Sequence, residues 1–154
     1  MRRLLLIIGL ALPSPAAADC FGQAAERYRV NIDLLTAIAD QESGRRQNAI
    51  GHNANGSIDV CKMQINSGNF TALERRFGIT EAHLRADECL CVHVGGWFLA
   101  DEIRRHGYTW TAVARYHIGS ASSNMDEGMA YARLVFARYQ ALAARRRKQP
   151  EIKP

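Results

Sequence analysis

Apolar residues recur along most of this chain at three- and four-residue spacing, the periodicity of helices that bury one face. Phe21, Ala24, Ala25 and Tyr28 predict a first short helix over Cys20 to Arg29. Leu34, Leu35 and Ile38 line one side of a second helix, which Asn31 can cap and Ser43-Gly44 can end. Arg45 to Val60 is polar and rich in Asn and Gly, so it reads as loop, and Asn55-Gly56 is a turn signal around which a small β hairpin fits. A helix from about Asn69 to Phe77 stops at Gly78, and Thr80 starts a short helical turn. Asp87 can cap a longer helix through Val92, Trp97, Phe98 and Ile103 to Gly107, in which Gly95-Gly96 marks close packing or a kink. Thr109 opens a helix containing Trp110, Val113, Ala114 and Tyr116. After a small-residue loop from Gly119, Ser123 or Asn124 caps a last helix from about Asp126 to Arg145. No proline falls in the body of the chain, so none interrupts these helices. The pattern predicts a single mainly helical domain with short connections.

The ends carry a different signal. Arg2 and Arg3 followed by the apolar run Leu4–Leu12 and the small residues Ala16, Ala17 and Ala18 read as a secretion signal over residues 1–18, cleaved after Ala18. The run is too short to span a bilayer, and Asp19 stands where lipidation of Cys20 would need a small residue. The predicted location is periplasmic, with no transmembrane segment. Residues 19–144 suffice for one domain, and the apolar fraction of 47% suits a packed core. The net charge of +5 falls to +3 without Arg2 and Arg3, and Arg145 to Pro154 carry +4 of it, which leaves a body near neutral at −1. Basicity is therefore a property of a flexible tail over residues 145–154 and gives no ground for a nucleic-acid partner. Such a tail fits contact with a wall polymer, a membrane surface or a protein partner, against the plainer reading of a solvated end.

Two sets of residues bring chemistry. Glu42 follows Ile38 by four residues and Leu35 by seven, so it shares their apolar face. A carboxyl group held there loses hydration, its pKa rises, and it can keep a proton to donate near neutral pH. On the helix pattern alone, a half-solvated glutamate at a helix end is the commoner case. The four cysteines Cys20, Cys61, Cys89 and Cys91 all follow the signal, and an even count in an exported chain reads as two disulfides. Three pairings are open, although Cys89 and Cys91 are too close in sequence to bond comfortably to each other. The spacing lacks Cys-x-x-Cys knuckles, so no metal site and no cofactor are predicted.

Four segments stand together with Glu42: Gln41-Glu42-Ser43, Met63-Gln64-Ile65-Asn66, Tyr116-His117-Ile118-Gly119 and Tyr131-Ala132-Arg133-Leu134-Val135. With the Ala49–Asn53 loop, the Gly107–Trp110 turn and the Cys89–Trp97 helix start, their order resembles the lytic transglycosylases of the lysozyme-like superfamily. The nearest likeness is to the small exported members associated with secretion, conjugation and pilus systems. The resemblance runs from Cys20 to about Ala144. It implies a mainly α, lysozyme-like α+β fold with a minimal β hairpin and a substrate groove.

By that resemblance Glu42 is the catalytic acid and Ser43 supports the sugar or the acid. Met63, Gln64 and Asn66 belong to the groove, Tyr116 and His117 contact sugar, and Tyr131 hydrogen-bonds near Glu42. The implied substrate is peptidoglycan, cut between N-acetylmuramic acid and N-acetylglucosamine to leave a 1,6-anhydromuramyl end. The implied partners are glycan strands and components of an envelope-spanning apparatus. Asp59 is the one candidate for the second carboxylate of an ordinary glycosidase, since Asp40 is turned away from Glu42. The family usually carries Gly-Leu before Met-Gln and Asn-Ala after the tyrosine; here the pairs are Cys61-Lys62 and His117-Ile118. Relatives commonly join an early cysteine to one at the start of the long helix, which implies Cys20–Cys89 and leaves Cys61–Cys91; Cys61–Cys89 with Cys20–Cys91 is the rival. Lysozyme-type hydrolysis and an inactive glycan-binding role in assembly are the alternative functions.

Overall fold

The computed structural model describes residues 19–148; the expected signal peptide and residues 149–154 of the tail lie outside the described residues. Seven α-helices and a small sheet follow one another as α1 (Cys20–Tyr28), α2 (Ile32–Ser43), β1 (Ile50–His52), β2 (Ile58–Val60), β3 (Ile65–Asn66), α3 (Phe70–Phe77), α4 (Glu81–Ala86), α5 (Glu88–His106), α6 (Trp110–Ile118) and α7 (Met125–Lys148). The helices begin where side chains can cap them. Asn31 accepts from the amides of Asp33 and Leu34, and Asp87 accepts from Leu90. Gly44 and Gly78 close α2 and α3 in the left-handed conformation that glycine adopts freely.

The sheet is an antiparallel meander of order β1-β2-β3, with Gly51 opposite Asp59 and Asp59 opposite Asn66. The hairpin expected around Asn55-Gly56 is β1–β2. The third strand comes from Ile65–Asn66, which the pattern does not reveal, because two residues are too few to show alternation.

The core lies where α5 meets α1 and α6, and where α7 meets α2 and α6. Leu35, Ile38, Met63, Val92, Leu99, Val113 and Val135 are fully enclosed there. Gly95 and Gly96 leave α5 as one helix and allow close approach. A Cβ on Gly95 would lie 2.6 Å from Met63 Cε, and one on Gly96 would lie 3.0 Å from the Tyr28 ring. Two disulfides tie the remaining chain to α5: Cys20–Cys89 at its first turn and Cys61–Cys91 from the turn after β2. Each such bridge contributes about 2–4 kcal/mol to a small exported domain.

The last helix departs from the expected end at Arg145 and runs to Lys148. Arg146 is itself exposed, and its guanidinium reaches back to the buried Asp33 of α2 through Nε and Nη2, the latter at 2.7 Å. This charge-assisted fork links the end of α7 to α2, while residues 145–148 are all exposed.

Gly95→Ala is expected to lower the unfolding free energy by about 1–3 kcal/mol through overpacking against Met63, even though alanine favours helix by about 1 kcal/mol. Urea unfolding measures it, and an unchanged midpoint would mean that Met63 moves aside without cost.

Candidate active site

A groove of about 810 Å³ separates the sheet from the helices. Glu42, Asp59, Gln64, Asn66, Tyr116 and His117 all face it, so residues from α2, the sheet and α6 converge on one cleft. Glu42 arrives on the last turn of α2, one residue before the helix ends, with Leu35 and Ile38 of the same face enclosed beneath it. The Tyr131 hydroxyl on α7 donates to Glu42 Oε1 at 2.6 Å.

Burial is the largest influence on this carboxyl group. It raises the pKa from 4.5 to about 7, against the Tyr131 hydrogen bond, which favours the ionised form, and with help from the charge of Asp59. Tyr131 and Tyr116 are themselves held well above the usual phenol range by burial and by Glu42, so both stay protonated donors.

Asp59 sits on β2 between two amides. Asn53 donates to its Oδ2 at 2.8 Å and Asn66 to its Oδ1 at 2.7 Å. Asn66 thus acts in the groove by fixing Asp59 as well as by lining the wall. Asp40, in contrast, is paired with Arg45 at 2.7 Å and takes no part.

The turn between β2 and β3 carries the site's backbone strain. Cys61 and Gln64 both have positive φ, 60° and 50°, which non-glycine residues rarely adopt. The Gln64 amide nitrogen Nε2 and its backbone N–H both donate to the Cys61 carbonyl, at 2.9 and 3.1 Å, which holds the turn closed. The Cys61–Cys91 bond fastens it to α5.

Two residues expected at the groove are turned away from it. Met63 is fully buried against Gly95, and only its carbonyl is used, accepting from the Tyr116 hydroxyl at 2.9 Å. Ser43 is buried as well; its hydroxyl donates to the Lys62 carbonyl at 2.9 Å and accepts from the Arg46 amide at 3.1 Å. Both position the site from behind. Lys62 is not among the residues that line the groove. It is buried, pairs with Glu88 and lies over the Phe21 ring at 5.9 Å.

Tyr131 lies beneath the groove surface, its ring stacked on that of His117 with centroids 4.2 Å apart and planes 2° from parallel. Burial lowers the His117 pKa below 6.5, while Glu127 and Asp59 act in the opposite sense.

The sequence alone does not point to the far wall. Phe98, Asp101 and Arg105 recur on α5 at spacings of three and four and face the groove. Their pattern is that of any solvated helix stripe, so no local signal distinguishes them. Nor does spacing reveal the Ser120 hydroxyl donating to Glu102, or Arg115 donating to the Ser122 carbonyl at 2.5 Å, which together fasten the loop after α6.

The sign of the Glu42 shift sets a stability dependence. Its folded pKa lies above its unfolded value, so the stabilising contribution is complete below pH 4.5 and is lost as pH rises through about 7. Relative to Glu42→Gln, the parent is expected to lose up to roughly 3 kcal/mol between pH 4.5 and pH 8. Denaturant unfolding of both proteins across that range checks this; parallel stability curves would mean that Glu42 is not desolvated.

Comparison with known proteins adds to this geometry. Residues 19–135 match the transglycosylase SLT domain. The chain is 38% identical over 138 residues to the invasion protein IagB of Salmonella typhimurium, covering 90% of this chain and 86% of that one. It is 36% identical over 144 residues to the protein IpgF of Shigella flexneri, covering 94% of each. In fold it is similar to an inactive mutant of the lytic transglycosylase Slt from Pseudomonas aeruginosa, with a TM-score of 0.67 at 17% identity. That likeness covers 90% of this chain and about a quarter, 26%, of that one.

Proposed function

We propose, for a chain that belongs to the transglycosylase SLT domain family, that it is an exported enzyme cleaving peptidoglycan glycan strands, with Glu42 as its acid and base. The observation that carries this reading is the Glu42 carboxyl group itself: desolvated, held by Tyr131, facing an open groove and poised with a pKa of about 7. A group with that pKa holds a proton at neutral pH and gives it up readily, as one residue serving two steps must.

In the first step Glu42 donates its proton to the bridging oxygen, and the bond from that oxygen to the muramyl anomeric carbon breaks. The substrate's own N-acetyl group stabilises the resulting cation. In the second step the muramyl 6-hydroxyl attacks the anomeric carbon while Glu42 takes its proton. The products are a free 4-hydroxyl and a 1,6-anhydromuramyl end, and no water is consumed.

A second reading has its own support. Asp59, clamped by Asn53 and Asn66, faces the same groove as Glu42. Two carboxyl groups flanking a sugar suit hydrolysis, in which water adds and a reducing end is left. The two routes differ in product, which makes them separable.

The reaction suits local opening of the wall for an envelope-spanning apparatus, and the invasion protein IagB at 38% identity supports that setting. No helix among the described residues is long and apolar enough to cross a membrane. Arg145, Arg147 and Lys148, exposed at the end of α7, are the candidate contacts for a partner that would position it.

Mass spectrometry of peptidoglycan digested by the oxidised mature protein is expected to yield anhydromuropeptides, with none from Glu42→Gln. The rate should fall as pH rises through about 7, where Glu42 loses its proton. Reducing-end products abolished by Asp59→Asn would establish the hydrolase instead, and no product from the folded parent would leave a glycan-binding role. Replacing Arg145, Arg147 and Lys148 together by glutamate should preserve digestion of purified wall and impair assembly of the apparatus; intact assembly would remove the docking role.

A further inference from the structure

The close contact of α6 with α7 brings a histidine onto the tyrosine that holds Glu42. Gly128 makes this approach possible: a Cβ there would lie 3.0 Å from Ile118 Cδ1 and 3.1 Å from Ala114 Cβ. His117 leaves α6 beside this contact and Tyr131 follows one turn after Gly128 on α7. Their rings meet face to face, 4.2 Å apart and 2° from parallel. The phenol is then constrained at both ends, its ring by the imidazole and its hydroxyl by the 2.6 Å bond to Glu42.

We propose that His117 is a positioning residue, whose stacked imidazole keeps the Tyr131 hydroxyl on Glu42 and thereby sets the protonation of that carboxyl group. This rests on the reading of Glu42 as the acid.

The charge environment supports a steric route. Glu127 on α7 lies 3.8 Å from His117 Nε2 and is itself held by the Asn124 side chain at 2.8 Å, so a carboxylate faces the exposed edge of the imidazole. Asp59 on β2 faces both His117 and Glu42, and Tyr116 lies beside Glu42 from α6. Burial holds His117 in its neutral form near pH 7, where Glu42 titrates. Removing the imidazole at that pH therefore changes the support of Tyr131 without removing a charge. The Tyr131 hydrogen bond favours ionised Glu42, so loosening it raises the titration midpoint.

The experiment follows the Glu42 carboxyl carbon by NMR against pH, assigned by its loss in Glu42→Gln, in the parent, His117→Ala, His117→Gln, His117→Phe, Tyr131→Phe and the His117→Ala/Tyr131→Phe double variant. His117→Ala and His117→Gln should raise the midpoint by roughly 0.5–1 unit, the equivalent of one aromatic pair. His117→Phe, which keeps a stacked ring, should retain the parent midpoint. The double variant should titrate like Tyr131→Phe alone, because the effect passes through that hydroxyl. An unmoved midpoint in His117→Ala, a shift in His117→Phe equal to that in His117→Ala, or additive shifts in the double variant would each overturn the proposal. The titration needs no turnover, so a protein that released no muropeptides would refute the catalytic reading while the midpoints still decided this one.

Discussion

Met63 seated against Gly95 is the contact on which the site depends. The side chain fills the space that a Cβ on α5 would occupy, and this depth fixes where the backbone of residues 61–64 can run. Everything around the acid is then measured from that backbone. Ser43 bonds the Lys62 carbonyl and holds the end of α2 beside it; Tyr116 bonds the Met63 carbonyl from α6; Gln64 and Cys61 adopt strained dihedrals so that the strand can turn into the groove. Packing that is insensitive to direction thus becomes positioning through a few directed hydrogen bonds.

The cost of the arrangement falls on electrostatics. Glu42 would be more comfortable in water, and Asp59 across the groove opposes its ionisation further. A site selected for stability alone would not hold the Glu42 carboxyl group there. Two disulfides to α5 constrain the fold around it, and the Arg146–Asp33 fork links α7 to α2. Strained backbone and desolvated charge persist only where the surrounding structure over-determines them.

The two departures from the family's usual residues have structural answers. Cys61 takes a left-handed dihedral, the reason a glycine suits that position, and its bond to Cys91 holds it there. Lys62 turns from the groove to Glu88 and Phe21. His117 stacks one face on Tyr131 and keeps 36% of its side chain exposed, so the residue at this position touches both the buried tyrosine and the groove wall.

What the chain determines locally, it declares locally. The helices are legible because period, caps and terminal glycines are properties of adjacent residues: Asn31, Gly44, Asp87 and Gly78 each act within one turn. The placement of Glu42 on an apolar face is legible for the same reason. The third strand, the run of α7 past Arg145 and the inward turn of Met63 and Ser43 are not: the strand is two residues long and shows itself only in its pairing with Val60 across a turn, and the others are decided by the distant partners Asp33, Gly95 and Lys62. The disulfide pairing is of this second kind by residue pattern, since composition leaves three choices; the pairing that the family resemblance implies, Cys20–Cys89 with Cys61–Cys91, is the one formed, through the approach of the turn after β2 to α5. Sequence by itself therefore determined the elements and the identity of the carboxyl group. Tertiary structure decided how far its pKa rises and how the Tyr131 hydroxyl reaches it, because the extent of desolvation and the geometry of a hydrogen bond across 89 residues depend on what packs against a group and not on what precedes it.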